Sequence, residues 1–194
     1  MRVFVAGASG AIGRHLVPLL VEEGHDVAGM TRTPGKVDWL RHVGAEPIVC
    51  DVFERDELLR AVARFSPDVV VHQLTDLPDD PAQVREQAAA NSRMRREGTT
   101  NLVDAACTCG ARVIAQSVAW SLPGDGGGAV ELLEHTVLGA DSVVVRYGQF
   151  FGPGTYYPVT PPGPPRIHVD DAARRTVMLL EAPSGIVDIV DDSG

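Results

Sequence analysis

The feature that most constrains this chain is a rhythm, in which short apolar runs rich in β-branched residues alternate with helical patterns along its length. The runs fall at Val3–Ala6, Asp26–Met30, Pro47–Cys50, Val69–His72, Val113–Ala115, Ser142–Val145 and Ile186–Val190. Between them, apolar residues spaced three and four apart predict helices at Ile12–Glu23, Val37–Val43, Asp56–Phe65, Ala82–Ala106, Ala129–Leu138 and Ala172–Leu180. Strands that alternate with helices pair in parallel through right-handed crossovers. The expected fold is therefore an α/β doubly wound parallel sheet of Rossmann type, a single domain over residues 1–194 with helices on both faces. Val69-Val70-Val71 is apolar at every position, as a central strand buried on both sides must be. Gly24, Gly44 and Gly110 stand where the first, second and fourth helices should end. Asp170-Asp171 stand before the last helix, where carboxylates cap free N–H groups.

Two segments break the rhythm. Residues 123–128, Pro-Gly-Asp-Gly-Gly-Gly, read as a flexible loop almost without side chains. The stretch 152–165 holds six prolines around Tyr156 and Tyr157, so it reads as an irregular surface loop.

Composition narrows the partners. The chain carries 17 basic and 26 acidic side chains, a formal net charge of -9, and no basic tail. Nucleic acid is a poor match for such a balance, because phosphate contacts dominate that affinity. No stretch is apolar for long enough to span a bilayer, and no apolar leader precedes the first strand, so a cytoplasmic protein without membrane contact is expected. Cys50, Cys107 and Cys109 form no C-x-x-C pair and the histidines show no ligand spacing, so no metal is expected.

The strongest chemical signal is Gly7-Ala8-Ser9-Gly10-Ala11-Ile12-Gly13, directly after the first strand and opening a helix. Gly7 permits a tight turn, Gly10 lets the backbone approach a pyrophosphate, and Gly13 lets the helix pack closely on the sheet. The helix N-terminus then offers its unpaired N–H groups to phosphate. The competing reading is a glycine-rich turn that binds nothing. An NAD reader usually places an acid at the end of the second strand for the ribose 2′-hydroxyl. The window 27–33 contains none, and offers Arg32 between Thr31 and Thr33, which suits the 2′-phosphate of NADP(H) over NAD(H). A solvated loop arginine is the competing reading there.

These residues resemble the extended or atypical short-chain dehydrogenase/reductases, a group often labelled NAD-dependent epimerase/dehydratase. Further segments match in order: Cys50-Asp51-Val52, where Asp51 and Val52 would meet the adenine ring, and Gln73-Leu74-Thr75, beside the expected adenosine ribose. Glu97–Ala106 resembles the G-T-x-N-L segment, Val145–Gly154 the L-R-x-x-x-x-Y-G-P signature, and Ile167–Ala173 the H-V-x-D-x-A motif. The resemblance implies a dinucleotide held by Gly7, Ser9, Gly10, Ala11, Ile12 and Gly13, with Ser117 at the nicotinamide end and a small-molecule substrate. It also implies a homodimer through the fourth and fifth helices.

The family's usual chemistry needs a Tyr and a Lys spaced Y-x-x-x-K, the lysine lowering the tyrosine pKa. The only lysine, Lys36, lies just past the second strand, and the positions of the pair fall near Gly126 and Val130. The dyad is absent, and the substrate-binding portion is reduced to the proline-rich loop. Tyr156 or Tyr157 could act as acid in its place, with Ser117 polarising a carbonyl; Ser117 could equally just satisfy the strand end. Glu131, Glu134 and His135 lie on the helix that should carry the dyad, where a solvated face is the plainer reading. Two functional classes follow. One is an atypical NADP(H)-binding enzyme acting on a small carbonyl or hydroxyl compound. The other is a non-redox protein on the same scaffold, a dinucleotide sensor or a cofactor-independent isomerase or cyclase.

Overall fold

The computed structural model describes residues 1–191, and among them it carries nine strands and seven α-helices. Seven strands form one sheet: β1 (Arg2–Ala6), β2 (Asp26–Thr31), β3 (Glu46–Val49), β4 (Val69–His72), β5 (Arg112–Val118), β6 (Val143–Tyr147) and β9 (Gly185–Ile189). Their order is β3-β2-β1-β4-β5-β6-β9 and every pairing is parallel. β4 lies in the middle with all its residues buried, which is why its sequence is apolar without alternation. On one face α1 (Gly13–Glu22), α2 (Val37–His42) and α7 (Val169–Val177) bury Leu16, Leu20, Leu40 and Ala173 against Val3, Val5 and Val143. On the other, α3 (Arg55–Phe65), α5 (Thr99–Thr108) and α6 (Gly124–Gly139) bury Leu58, Leu102 and Leu133 against Phe4, Val70 and Val113. The doubly wound expectation is met. Strand order reverses between β1 and β4, and in such sheets ligands bind in the crevice beyond the strand ends there. Among the described residues, no helix is long and apolar enough to cross a membrane.

Three local expectations need correction. The fourth predicted helix does not begin at Ala82. Residues 81–83 form a 3₁₀ turn started by Pro81 and capped by the Asp80 carboxylate on the Ala82 N–H, and α4 spans only Ala88–Arg93. Nearly every side chain over 81–89 is exposed, so no packing extends the helix there. A π-helical turn, Met94–Gly98, joins α4 to α5. The glycine run after Pro123 is not a loop, because helix α6 starts at Gly124. The Arg96 guanidinium holds the Asp125 carboxylate at 2.5 Å and its carbonyl at 3.1 Å, so tertiary anchoring overrides poor helix propensity. Asp170 and Asp171 lie inside the first turn of α7, whose cap is His168, accepting from the Asp170 N–H at 3.3 Å. Finally, β7 (Gln149–Phe151) and β8 (Arg166–His168) pair in parallel at the two ends of the proline-rich segment. That segment, residues 152–165, is otherwise irregular as expected.

Candidate functional site

The glycine loop occupies the switch point between β1 and β4, and its backbone explains its sequence. Gly7 has φ +86°, and a Cβ there would sit 2.7 Å from the Gln73 carbonyl oxygen. A Cβ on Gly13 would lie 2.3 Å from the Gly7 carbonyl oxygen, so α1 can rest on the loop only through glycine. The N–H of Gly10 donates to Gly7 O at 3.0 Å. Among the described residues, the N–H groups of Ser9, Ala11 and Ile12 donate to no protein acceptor. No side chain caps α1 and its first turn holds no acid, so those donors and the positive end of the helix dipole stay available to an anion. Arg14 adds a guanidinium at this end, its Nε donating to Gly10 O at 3.3 Å. That arginine was not singled out from the sequence; its place just after the third glycine was the available signal.

Beyond β2 the loop is braced by a hydroxyl pair, Ser9 Oγ to Thr31 Oγ1 at 3.1 Å, with Thr31 Oγ1 also accepting from the Thr33 N–H. Arg32 is half exposed and pairs with Asp76 at 3.0 Å, an acid carried by the loop after β4. Asp51 Oδ1 accepts from the Phe53 N–H at 3.0 Å, and Val52 O accepts from Asn101 at 3.0 Å, which fixes the end of β3. At the end of β4, His72 is fully buried and accepts from the Leu74 N–H through Nδ1 while Nε2 donates to Thr99. Burial lowers its pKa to about 4. Gln73 is buried with its Nε2 donating to Tyr147 OH at 3.2 Å, whereas its Oε1 has no protein partner. A buried acceptor without a partner costs stability unless a ligand or water donates to it. Leu74 and Thr75 are half-buried on the same crevice wall. Burial pushes Tyr147 up to about 12, so it stays a neutral phenol.

At the other end of the crevice, Ser117 does not stand free. Its Oγ donates to Glu134 Oε1 at 2.6 Å, and Arg146 grips the same carboxylate at 2.8 and 2.5 Å. Burial alone would raise the Glu134 carboxyl, but the Arg146 and Ser117 hydrogen bonds outweigh it and hold it below the usual range. Ser117, Arg146 and Asp188 pair across β5, β6 and β9, so they form one row on the sheet face that α6 covers. A cavity of about 320 Å³ lies over this row, lined among others by Val118, Trp120, Val130, Glu131 and Asp188. Glu131 and His135 are exposed, as the plainer reading had it, whereas Glu134 is buried and structural. α6 carries neither a tyrosine nor a lysine, and Lys36 is exposed beyond β2 at the far side of the sheet. A larger cavity of about 490 Å³ lies at the opposite edge, between β3 and α3, and has no part in this crevice.

The proline-rich segment straps the crevice. Gly154 lies against the Arg14 guanidinium at the start of α1, and two residues later Tyr156 OH donates to Pro78 O on the loop after β4. Burial, with Asp79 and Asp80, raises the Tyr156 phenol, the opposite of what a catalytic tyrosine needs. Tyr157 is exposed, its OH 3.4 Å from Gln149 Oε1. Ser117, Tyr156 and Tyr157 thus each have a different partner, and no hydrogen bond joins them.

Comparison with known proteins agrees with this geometry. The sequence pattern described as the NAD dependent epimerase/dehydratase family matches residues 3–138. A Streptomyces 3-diazoavenalumate denitrifying reductase is 34% identical over 239 aligned residues, covering 99% of this chain and 76% of the relative. Since the alignment is longer than the 194-residue chain, the relative carries residues inside the aligned span that this chain lacks. The NAD complex of Thermus thermophilus UDP-glucose 4-epimerase superposes with a TM-score of 0.80 at 21% identity, over 100% of this chain and 79% of that one. The NAD+ complex of Bordetella bronchiseptica WbmH gives a TM-score of 0.77 at 19% identity, over 99% and 76%. At such identities the two structures speak for the fold.

Proposed function

This chain belongs to the NAD-dependent epimerase/dehydratase family, and on that premise we propose that it is an NADP(H)-dependent reductase of a small organic substrate that works without the Tyr–Lys pair. The observation that carries the reading is the uncapped start of α1 behind a loop that only glycine can form, with three N–H groups unused among the described residues. The residues fit a dinucleotide. Ser9, Ala11, Ile12 and Arg14 would meet the pyrophosphate, Asp51 and Val52 the adenine, Thr31 and Arg32 the 2′-phosphate, and Leu74 and Thr75 the ribose. Gln73 Oε1, buried and without a protein partner, is an acceptor that a bound ligand can satisfy. When bound, NADPH supplies a hydride.

What the chain itself supplies limits the substrate. Reduction of a carbonyl leaves an alkoxide, which needs a positioned acid. Ser117, Tyr156 and Tyr157 are the candidates, yet Ser117 is held by Glu134 and Tyr156 is raised and tied to Pro78. An arenediazonium, by contrast, takes up one hydride and leaves as arene and N2, with no proton required. The name of the Streptomyces relative, a denitrifying reductase of a diazo acid, points the same way. Trp120 beside the 320 Å³ cavity gives such an aromatic substrate a face to stack on. Pairing of two copies through the α5 and α6 faces belongs to the same proposal and is checked by sedimentation. The deciding experiment measures dissociation constants for NADPH and NADH, then NADPH consumption with an aryl diazonium and with ketones or aldehydes. Tighter NADH binding refutes the cofactor choice, absence of any dinucleotide complex refutes the reading, and consumption with carbonyls alone refutes the substrate class.

A further inference from the structure

The β2 end lacks the acid that an NAD site usually places there, yet the fold delivers one from elsewhere. Asp76, four residues past the end of β4, reaches back over the end of β1 to meet Arg32, just past β2, at 3.0 Å. Its position is built: the Asp76 N–H donates at 3.1 Å to Asn91 Oδ1, and Asn91 is itself buried on α4. Among the described residues, no other carboxylate pairs with Arg32. The Arg32 side chain is 46% exposed and the Asp76 side chain 30%, so the pair faces the crevice mouth and can exchange partners.

We propose that Asp76 determines how strongly this chain prefers NADP(H) to NAD(H). The proposal rests on the dinucleotide reading above. A carboxylate at this point acts in two ways on the two cofactors. It holds the guanidinium that a 2′-phosphate would otherwise take, and its own charge repels that phosphate. Toward NAD(H) it is favourable, because it can accept from the ribose 2′-hydroxyl as the usual strand-end acid does. Arg32 and Asp76 therefore pull the selectivity in opposite directions, and the wild-type preference is the compressed difference of the two. Both groups are partly solvated, so the effect is modest: release of Arg32 and loss of like-charge repulsion together amount to about three- to ten-fold in affinity.

The test uses the full chain and reads binding, not turnover. Dissociation constants for NADPH, NADH, 2′,5′-ADP and 5′-AMP are measured by calorimetry for wild type, Asp76→Asn and Asp76→Glu. The expected result is a rise in the NADPH-to-NADH preference of about three- to ten-fold in Asp76→Asn, mirrored by 2′,5′-ADP against 5′-AMP, with Asp76→Glu close to wild type. An unchanged ratio, or one that moves toward NADH, overturns the role of Asp76 while leaving dinucleotide binding intact. Failure of wild type to bind any of the four removes the underlying reading instead. Asp76→Glu keeps the charge, so a shift common to both variants marks loop damage and also counts against the proposal.

Discussion

His72 provides the sharpest physical test of the crevice wall. Its imidazole is neutral and fully buried, accepting from Leu74 N–H and donating to Thr99, and burial lowers its pKa to about 4 from 6.5. Above pH 6.5 the ring is neutral whether the chain is folded or not, and it adds no pH dependence. Between 6.5 and 4 the unfolded chain binds a proton that the folded chain refuses. Stability is thus fully present above the unfolded value and falls as pH drops toward the folded one. At about pH 4.5 the loss amounts to about 2.5 kcal/mol, a large share of the ~5–15 kcal/mol that holds a domain together. Carboxylates titrate nearby, so the assay compares wild type with His72→Leu by urea unfolding at several pH values. Leu leaves Leu74 N–H and Thr99 unpaired and costs about 1–3 kcal/mol at neutral pH. The stability of wild type minus that of the variant should then fall by about 2.5 kcal/mol from pH 7 to about 4.5, changing sign where the neutral-pH cost is smaller than that. A difference that stays constant, or grows on acidification, refutes the buried neutral histidine.

The glycine loop, the polar row and the strap give further tests. Gly13→Ala forces a Cβ against the Gly7 carbonyl, and NADPH affinity should fall at least about ten-fold, with a lower melting temperature; unchanged titration curves would contradict the packing. Arg146→Met strands the Glu134 carboxylate with only Ser117, and should cost about 1–3 kcal/mol in urea unfolding while raising the Glu134 pKa, visible by carbon-13 titration. The Tyr156→Phe, Tyr157→Phe double variant should still bind NADPH and keep turnover of a diazonium substrate within about three-fold. A hundred-fold loss would make one of those phenols the acid after all.

Much of the framework was legible because local and long-range signals coincided. Seven apolar runs became the seven strands of the main sheet, and the three helix-ending glycines at 24, 44 and 110 all take positive φ. The glycine loop carries its constraint in its own residues, so its geometry followed from spacing. The parts that were not legible depend on partners far along the chain. Glu134 looked like one more acid on a helix until Arg146, twelve residues on, closed over it. Asp76 could not be read as a neighbour of Arg32, because the chain visits α2, β3, α3 and β4 between them. β7 and β8 are three residues each, too short for periodicity to show.

The glycine start of α6 has a consequence for time as well as shape. Gly124, Gly126, Gly127 and Gly128 fill four of its first five positions; Gly124 takes φ +57° and a Cβ on Gly127 would lie 2.4 Å from the Leu122 carbonyl oxygen, while Gly126 and Gly128 add backbone entropy that the turn must lose on ordering. Buried side chains begin only at Ala129, so the first turn hangs on the Arg96 clasp while the rest of α6 is nailed to the sheet. Such a turn opens and recloses far more often than the helix that follows it, since local opening free energy tracks buried contact. This end of the crevice therefore depends on the Arg96–Asp125 contact where the rest of α6 depends on buried side chains, and hydrogen exchange should be faster over its first turn than beyond Ala129.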